Sequence, residues 1–281
     1  MLKNKNYKDW TKKTILFILT LSLWSCSTLG QVWYERLDIY LANYFFKYTE
    51  FTNEQSNNIR KVTKDFKEWN SKFELPKYKN FLEEITKLSR EISVKDVEKI
   101  FEDSNKLFES NYTFFIPHMV IFSKTLSDQQ IEEIDGIFQK RVKKWEEDWI
   151  SEKSNYNDEV VKSYKRLARI IGIKLSSEQR EDIRKISKSL EDKTFQLIRA
   201  QESWNNELIV ILKSKEDKDF DTLCQNHLDS LFLTTGREEQ KVYAEMITKT
   251  ISSLDDSQMK KFKKRLTYFI SSIDKIIKRH N

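Results

Sequence analysis

The side chains able to do chemistry are few and scattered. The chain holds three histidines, His118, His227 and His280, and two cysteines, Cys26 and Cys224. Cys224 and His227 have the Cys-x-x-His spacing that sets a thiol and an imidazole on one helical face. A zinc site needs three or four ligands, and no third follows in sequence. The competing reading is a buried apolar thiol beside Phe220, Leu223 and Leu228. His118 sits next to Pro117 in an apolar stretch, and His280 is the penultimate residue. No Ser-His-Asp order, phosphate-binding glycine loop or His-x-x-x-His pair occurs. Glu83-Glu84, Glu132-Glu133 and Glu146-Glu147 are adjacent pairs, which a helix spreads by about 100°. They read as solvated faces, not acid/base pairs. The expectation is no catalytic set, no metal, no cofactor and no enzyme. The most suggestive polar residues are Arg36 and Asp38, which flank Leu37 in an aromatic segment with Tyr34 and Tyr44. Residues two apart on a helix do not face each other. Either each meets a partner on another helix, or Tyr34, Arg36, Asp38 and Tyr44 form a partner-binding site.

Cys26 offers a different chemistry. Lys3, Lys5, Lys8, Lys12 and Lys13 form a basic start, followed by an apolar run from Ile15 to Trp24. That run is shorter than the roughly 20 residues that span a bilayer and suits a secretory leader. It ends in Leu23-Trp24-Ser25-Cys26, which resembles the bacterial lipobox. Trp24 departs from the small or β-branched residue usual there. An ordinary leader cut near Ser27 and an uncleaved anchor are the other readings. The resemblance implies cleavage before Cys26 and three acyl chains on that residue. One chain anchors only weakly, at about 0.8 kcal/mol per buried methylene, so three make attachment effectively permanent. Ser27 in place of Asp implies the outer membrane, with the body facing the periplasm. Cys224 then has no partner within the chain.

The leader also governs the charge. The whole chain carries 50 basic and 44 acidic residues, a net +6 and a pI near 9.0. Five lysines and one aspartate lie in residues 1–25, so the rest carries only +2. Basic character belongs mostly to the leader, and nucleic acid is not an expected partner. The expected partners are the membrane, through lipid on Cys26, and envelope proteins.

The elements that must position these residues are helices. Four glycines and two prolines in 281 residues are too few for a strand-and-turn protein. Apolar residues recur at helical spacing, as in Ile59, Val62, Phe66, Trp69 and Phe73, or Met259, Phe262, Leu266, Phe269, Ile273 and Ile276. Trp33 to Tyr48 reads as one aromatic helix, Phe114 to Pro117 as a break, and Ser176 to Ile211 as one long helix. The fold class expected is all-α, an elongated antiparallel helical bundle. Residues 26–281 are expected to form one domain after the leader at 1–25.

Four helix starts share a pattern: Phe51-Thr52-Asn53-Glu54-Gln55, Leu126-Ser127-Asp128-Gln129-Gln130, Leu175-Ser176-Ser177-Glu178-Gln179 and Leu254-Asp255-Asp256-Ser257-Gln258. Each is a capping box, with the cap side chain on the N3 amide and the Gln reaching back. Their uneven spacing excludes a solenoid.

The boxes resemble the LTxxQ motifs of the Spy and CpxP periplasmic chaperones. A wider resemblance rests on Trp33-Tyr34-Glu35-Arg36-Leu37-Asp38, Tyr44-Phe45, Thr52-x-Glu54-Gln55, Trp69 and Glu74-Leu75-Pro76-x-Tyr78. It is to a family of proteobacterial lipoproteins known only as a domain of unknown function. Phe51 stands where that family has Leu. The resemblance implies an anchored, helical outer-membrane protein and lends no reaction. The function expected is a non-enzymatic binding or scaffold protein of the envelope. The alternative is a Spy-like holdase, which needs an apolar cradle left open by the bundle.

Overall fold

A computed structural model describes residues 27–152, 156–230 and 237–280. The expected leader and lipidation site, residues 1–26, lie outside the described residues. Helices account for nearly all of what is described, and no strand occurs among these residues. The all-α expectation holds.

The helices run α1 Ser27–Glu35, α2 Leu37–Phe45, α3 Asn53–Trp69, a π-helix Asn70–Glu74, α4 Leu75–Thr86, α5 Val94–Ser123 and α6 Asp128–Glu152. They continue with α7 Tyr156–Ile170, α8 Ser177–Ser187, α9 Thr194–Lys213, α10 Phe220–Asp229, α11 Arg237–Ser252 and α12 Asp256–His280. Each buries the apolar stripe its sequence carries. Leu75 and Leu82 of α4 pack with Phe262, Leu266, Phe269 and Ile273 of α12. Ile131 and Ile134 of α6 join Leu208, Leu212, Phe220 and Cys224 in a second cluster. Val161, Ile183 and Met246 centre a third. Each fully buried side chain of this kind contributes about 1.5–3 kcal/mol.

All four sequence-marked capping boxes form. Gln55 N donates to Thr52 Oγ1 at 3.2 Å while Thr52 N donates to Gln55 Oε1 at 3.0 Å. Ser127/Gln130, Ser176/Gln179 and Asp255/Gln258 repeat both bonds. A fifth box, Ser93 with Asp96, starts α5. Its acid is one carbon shorter than the Gln of the others.

The glutamines do more than cap. Gln55 and Gln130 exchange two side-chain hydrogen bonds, at 3.0 and 2.8 Å, across 75 residues of sequence. Gln179 and Gln258 do the same at 3.2 and 3.0 Å across 79 residues. Each amide also donates to a backbone carbonyl before the partner box, as Gln55 does to Thr125 and Gln130 to Glu50. The boxes are therefore paired, first with second and third with fourth. The uneven spacing in sequence is the gap between pairs.

The two halves repeat each other's contacts and also pack on one another. Helix α2 lies on α3, and α7 on α8. Helix α4 packs on α12, and α9 on α6, while α5 meets α11 between them. The first half of the chain thus grips the second through equivalent elements.

Four expectations are corrected. The aromatic run Trp33 to Tyr48 is two helices, because Arg36 takes φ −105°, ψ 12°. The segment at Pro117 is not a break: α5 runs through it. Pro117 is exposed, so its lost hydrogen bond falls on the side where water can replace it. The stretch Ser176 to Ile211 divides at 188–193, where Asp192 accepts from Thr194 N and from Trp149 Nε1. Phe73 leaves its stripe and is 50% exposed. The π-helix inserts an extra residue per turn and swings Glu74 inward in its place. Gly172 closes α7 at φ 85°, and a Cβ there would lie 2.9 Å from the Lys261 carbonyl oxygen.

Candidate functional site

Helices α3 and α6 start together at the Gln55–Gln130 pair, but their backbones do not run alongside each other afterwards. The space between them is a cavity of about 510 Å³. Helix α2 supplies Leu37, Leu41, Tyr44 and Phe45, and α3 supplies Ile59, Val62 and Phe66. Helix α5 adds Phe115, Met119 and Phe122, α6 adds Ile134, Phe138 and Trp145, and α9 adds Trp204, Leu208 and Leu212. These are consecutive inward positions of amphipathic stripes. Many of the aromatic ones, Tyr44, Phe45, Phe115, Phe138, Trp145 and Trp204 among them, are half-buried rather than sealed. They wall a hollow; they do not fill it. The volume is that of a small-molecule site, about 300–1,000 Å³. Asn58 and Lys144 are its exposed lining residues.

Two polar features interrupt this lining. The first is a buried chain of hydrogen bonds at the π-helix. Tyr34, 2% exposed, donates to Asn70 Oδ1 at 2.8 Å. Asn70 Nδ2 donates to Asn111 Oδ1 at 2.8 Å, and Asn111 Nδ2 to Tyr78 Oη at 2.9 Å. Beside it the fully buried Glu74 receives Lys77 Nζ at 2.6 Å and Ser110 Oγ at 3.0 Å on one oxygen. The other oxygen has no protein partner. Burial pushes the Tyr34 and Tyr78 phenols well above their usual range. Neutral phenols therefore act here as fixed donors.

The second feature is Arg141. Its guanidinium carbon stands 4.4 Å from the Tyr48 ring centroid and 5.9 Å from that of Tyr44. It donates to Tyr48 Oη, and the two hydroxyls bond each other at 2.9 Å. Burial first, then electrostatic repulsion from Tyr44, raises the Tyr48 phenol, with Arg141 opposing. No carboxylate lies within ion-pair distance of Arg141 among the described residues.

The sequence-derived candidates divide between these features. Tyr34 is a buried network member and also lines the cavity. Tyr44 lines the cavity beside Arg141. Asp38 accepts from Lys67 Nζ at 2.6 Å, and Lys67 also reaches the Glu35 carbonyl. That is the inter-helix pairing foreseen for it. Arg36 is exposed at the α1–α2 junction, away from Asp38's partner. The four do not form one site. Arg141, Tyr48, Asn70 and Asn111 were missed. Arg141 looks like one more charge on a charged helix, and only its i, i+4 position before Trp145 hinted at an inward face.

Cys224 is fully buried in the second core cluster, and burial raises its thiol pKa. His227 stacks on Trp204 at 4.7 Å, and its Nε2 donates to the Trp204 carbonyl at 2.9 Å. That bond and the stack fix the imidazole as a packing element. No cluster of three His, Cys, Asp or Glu side chains suited to a metal occurs among the described residues. None of the described helices is long and apolar enough to cross a membrane.

The model of a family of unknown function, DUF6279, matches residues 47–237. The chain belongs to this family. The match takes in the first three capping boxes, the π-helix and most of the cavity wall. Trp33 to Phe45 precede it, so α2 closes the hollow from outside the matched region. No curated protein and no solved structure matches the chain.

Proposed function

We propose that this chain is a non-enzymatic binding protein of the bacterial envelope, held at the outer membrane by lipid on Cys26 and facing the periplasm. Its binding element is the aromatic-walled cavity between α3 and α6. The observation that carries this reading is the 510 Å³ hollow, left open where a close-packed bundle would fill it. A cavity that size costs stability, and a fold that keeps it gains something by an occupant. The leader and lipobox-like residues supply the anchoring half. Cys26 precedes Trp33, a cavity-lining residue, by seven positions, which sets the binding element close to the membrane.

Binding is tested with N-phenyl-1-naphthylamine, whose fluorescence rises in apolar sites. The protein should take it up saturably, and Met119→Trp, which adds bulk to the wall, should weaken uptake. No saturable uptake would remove the cavity reading. Anchoring is tested by radioactive palmitate labelling. The parent chain should incorporate label, and equal incorporation by Cys26→Ala would overturn the anchor.

A holdase remains the second reading. It is favoured by the half-exposed aromatic walls and by the LTxxQ-like boxes that join the starts of α3 and α6 at one end of the hollow. It requires that equimolar protein slow the aggregation of an unfolded client, and that the client displace the dye. Aggregation at an unchanged rate would exclude it.

A further inference from the structure

We infer that the cavity takes one acyl chain bearing an anionic head, with Arg141, Tyr44 and Tyr48 holding the head. This deepens the binding reading above and rests on it. The hollow is apolar and narrow in capacity. At 510 Å³ it lies within the range of sites that hold one small molecule, about 300–1,000 Å³, which suits a single acyl chain.

Arg141 supplies the charge. It is half-buried against two tyrosine rings, and no carboxylate neutralises it among the described residues. A partly desolvated cation without a counter-ion is unfavourable. Its guanidinium has five N–H donors, more than the two phenol oxygens can take up. The Tyr44–Tyr48 bond uses one phenol proton and leaves the other to turn outward as a further donor. Together they form a donor set for a carboxylate or phosphate at the wall of an apolar hollow. Lys144 and Asp148 also line the cavity on the same helix. Lys144 is exposed and Asp148 half-buried, and both lie further along α6 than Arg141. Lys144 has the same sign of charge as Arg141, and Asp148 makes no ion pair with it among the described residues.

Competition against N-phenyl-1-naphthylamine on the full chain tests this. The competitors are hexadecanoate, hexadecanol and the lysophosphatidate of the same chain length. Among fatty acids, affinity should rise about fourfold per methylene and level off near the length that fills the cavity. Hexadecanoate or lysophosphatidate should bind about 10–100-fold tighter than hexadecanol. The tighter of the two names the source of the head, a free fatty acid or a phosphate-headed lipid. Arg141→Gln should collapse the preference over the alcohol, and Arg141→Lys should keep part of it. A thermal melt confirms that both variants fold. Equal affinity for hexadecanol and the two anions, or an undiminished preference in Arg141→Gln, would overturn the head-group assignment while dye uptake left the cavity reading standing. Absence of dye uptake would remove both.

Discussion

Single side chains decide how the helices are held. Gln55 is buried and serves four partners: its own cap, Thr125, and both ends of the Gln130 amide. Gln55→Ala should cost about 2–4 kcal/mol, since it removes a cap and strands buried polar groups. Urea unfolding measures this, and a loss under 1 kcal/mol, roughly a single cap's worth, would contradict the paired arrangement. The buried phenols give a pH signature. Tyr34 and Tyr48 ionise above the ordinary 10.0 because burial disfavours the phenolate. Their contribution is whole below 10.0 and is lost as pH rises, because the unfolded chain then releases the protons first. The urea midpoint should fall with rising pH above 10.0, in step with tyrosinate absorbance. A midpoint unchanged while tyrosinate appears would refute this. The boxes themselves were legible in sequence, because capping is a local matter of four residues. Arg141 was not legible, because its meaning depends on two tyrosines 93 and 97 positions away.

At the scale of elements, the π-helix Asn70–Glu74 sets the register of everything after it. It turns Leu75 and Leu82 onto α12 and brings Asn70 and Glu74 inside. Deleting Lys72, which is exposed, should restore an α-helical register and rotate α4 by about 100° against α3. Two buried leucines would leave the core, at about 2–5 kcal/mol each. Circular dichroism and denaturation would show loss of cooperative unfolding, and a variant as stable as the parent would refute the register argument. Regular stripes made most helices readable. Phe73 misled because a one-residue insertion leaves no mark in composition. Pro117 misled because a proline on a solvent face is tolerable inside a helix whose other faces are packed.

Across the whole molecule, the two halves complete each other. Helix α4 rests on α12 and α6 rests on α9, so each half ends on an apolar face that only the other covers. The fragments 27–152 and 156–280, expressed singly, should remain unfolded or aggregate, and should regain helix when combined. Circular dichroism and size-exclusion chromatography would show this. A cooperatively folded isolated half would contradict it. The cavity belongs to this scale too, since its wall draws on α2, α3 and α5 together with α6 and α9.

The sequence by itself determined the helical class, the capped helix starts and the near-neutral charge of residues 26–281. All of these follow from local spacing and composition. Only the tertiary structure decided that the boxes pair through Gln55–Gln130 and Gln179–Gln258, and that aromatic stripes stand around a hollow. The reason is geometric. An amphipathic stripe shows which face avoids water, but whether two such faces meet or stand apart depends on where distant helix starts are pinned together.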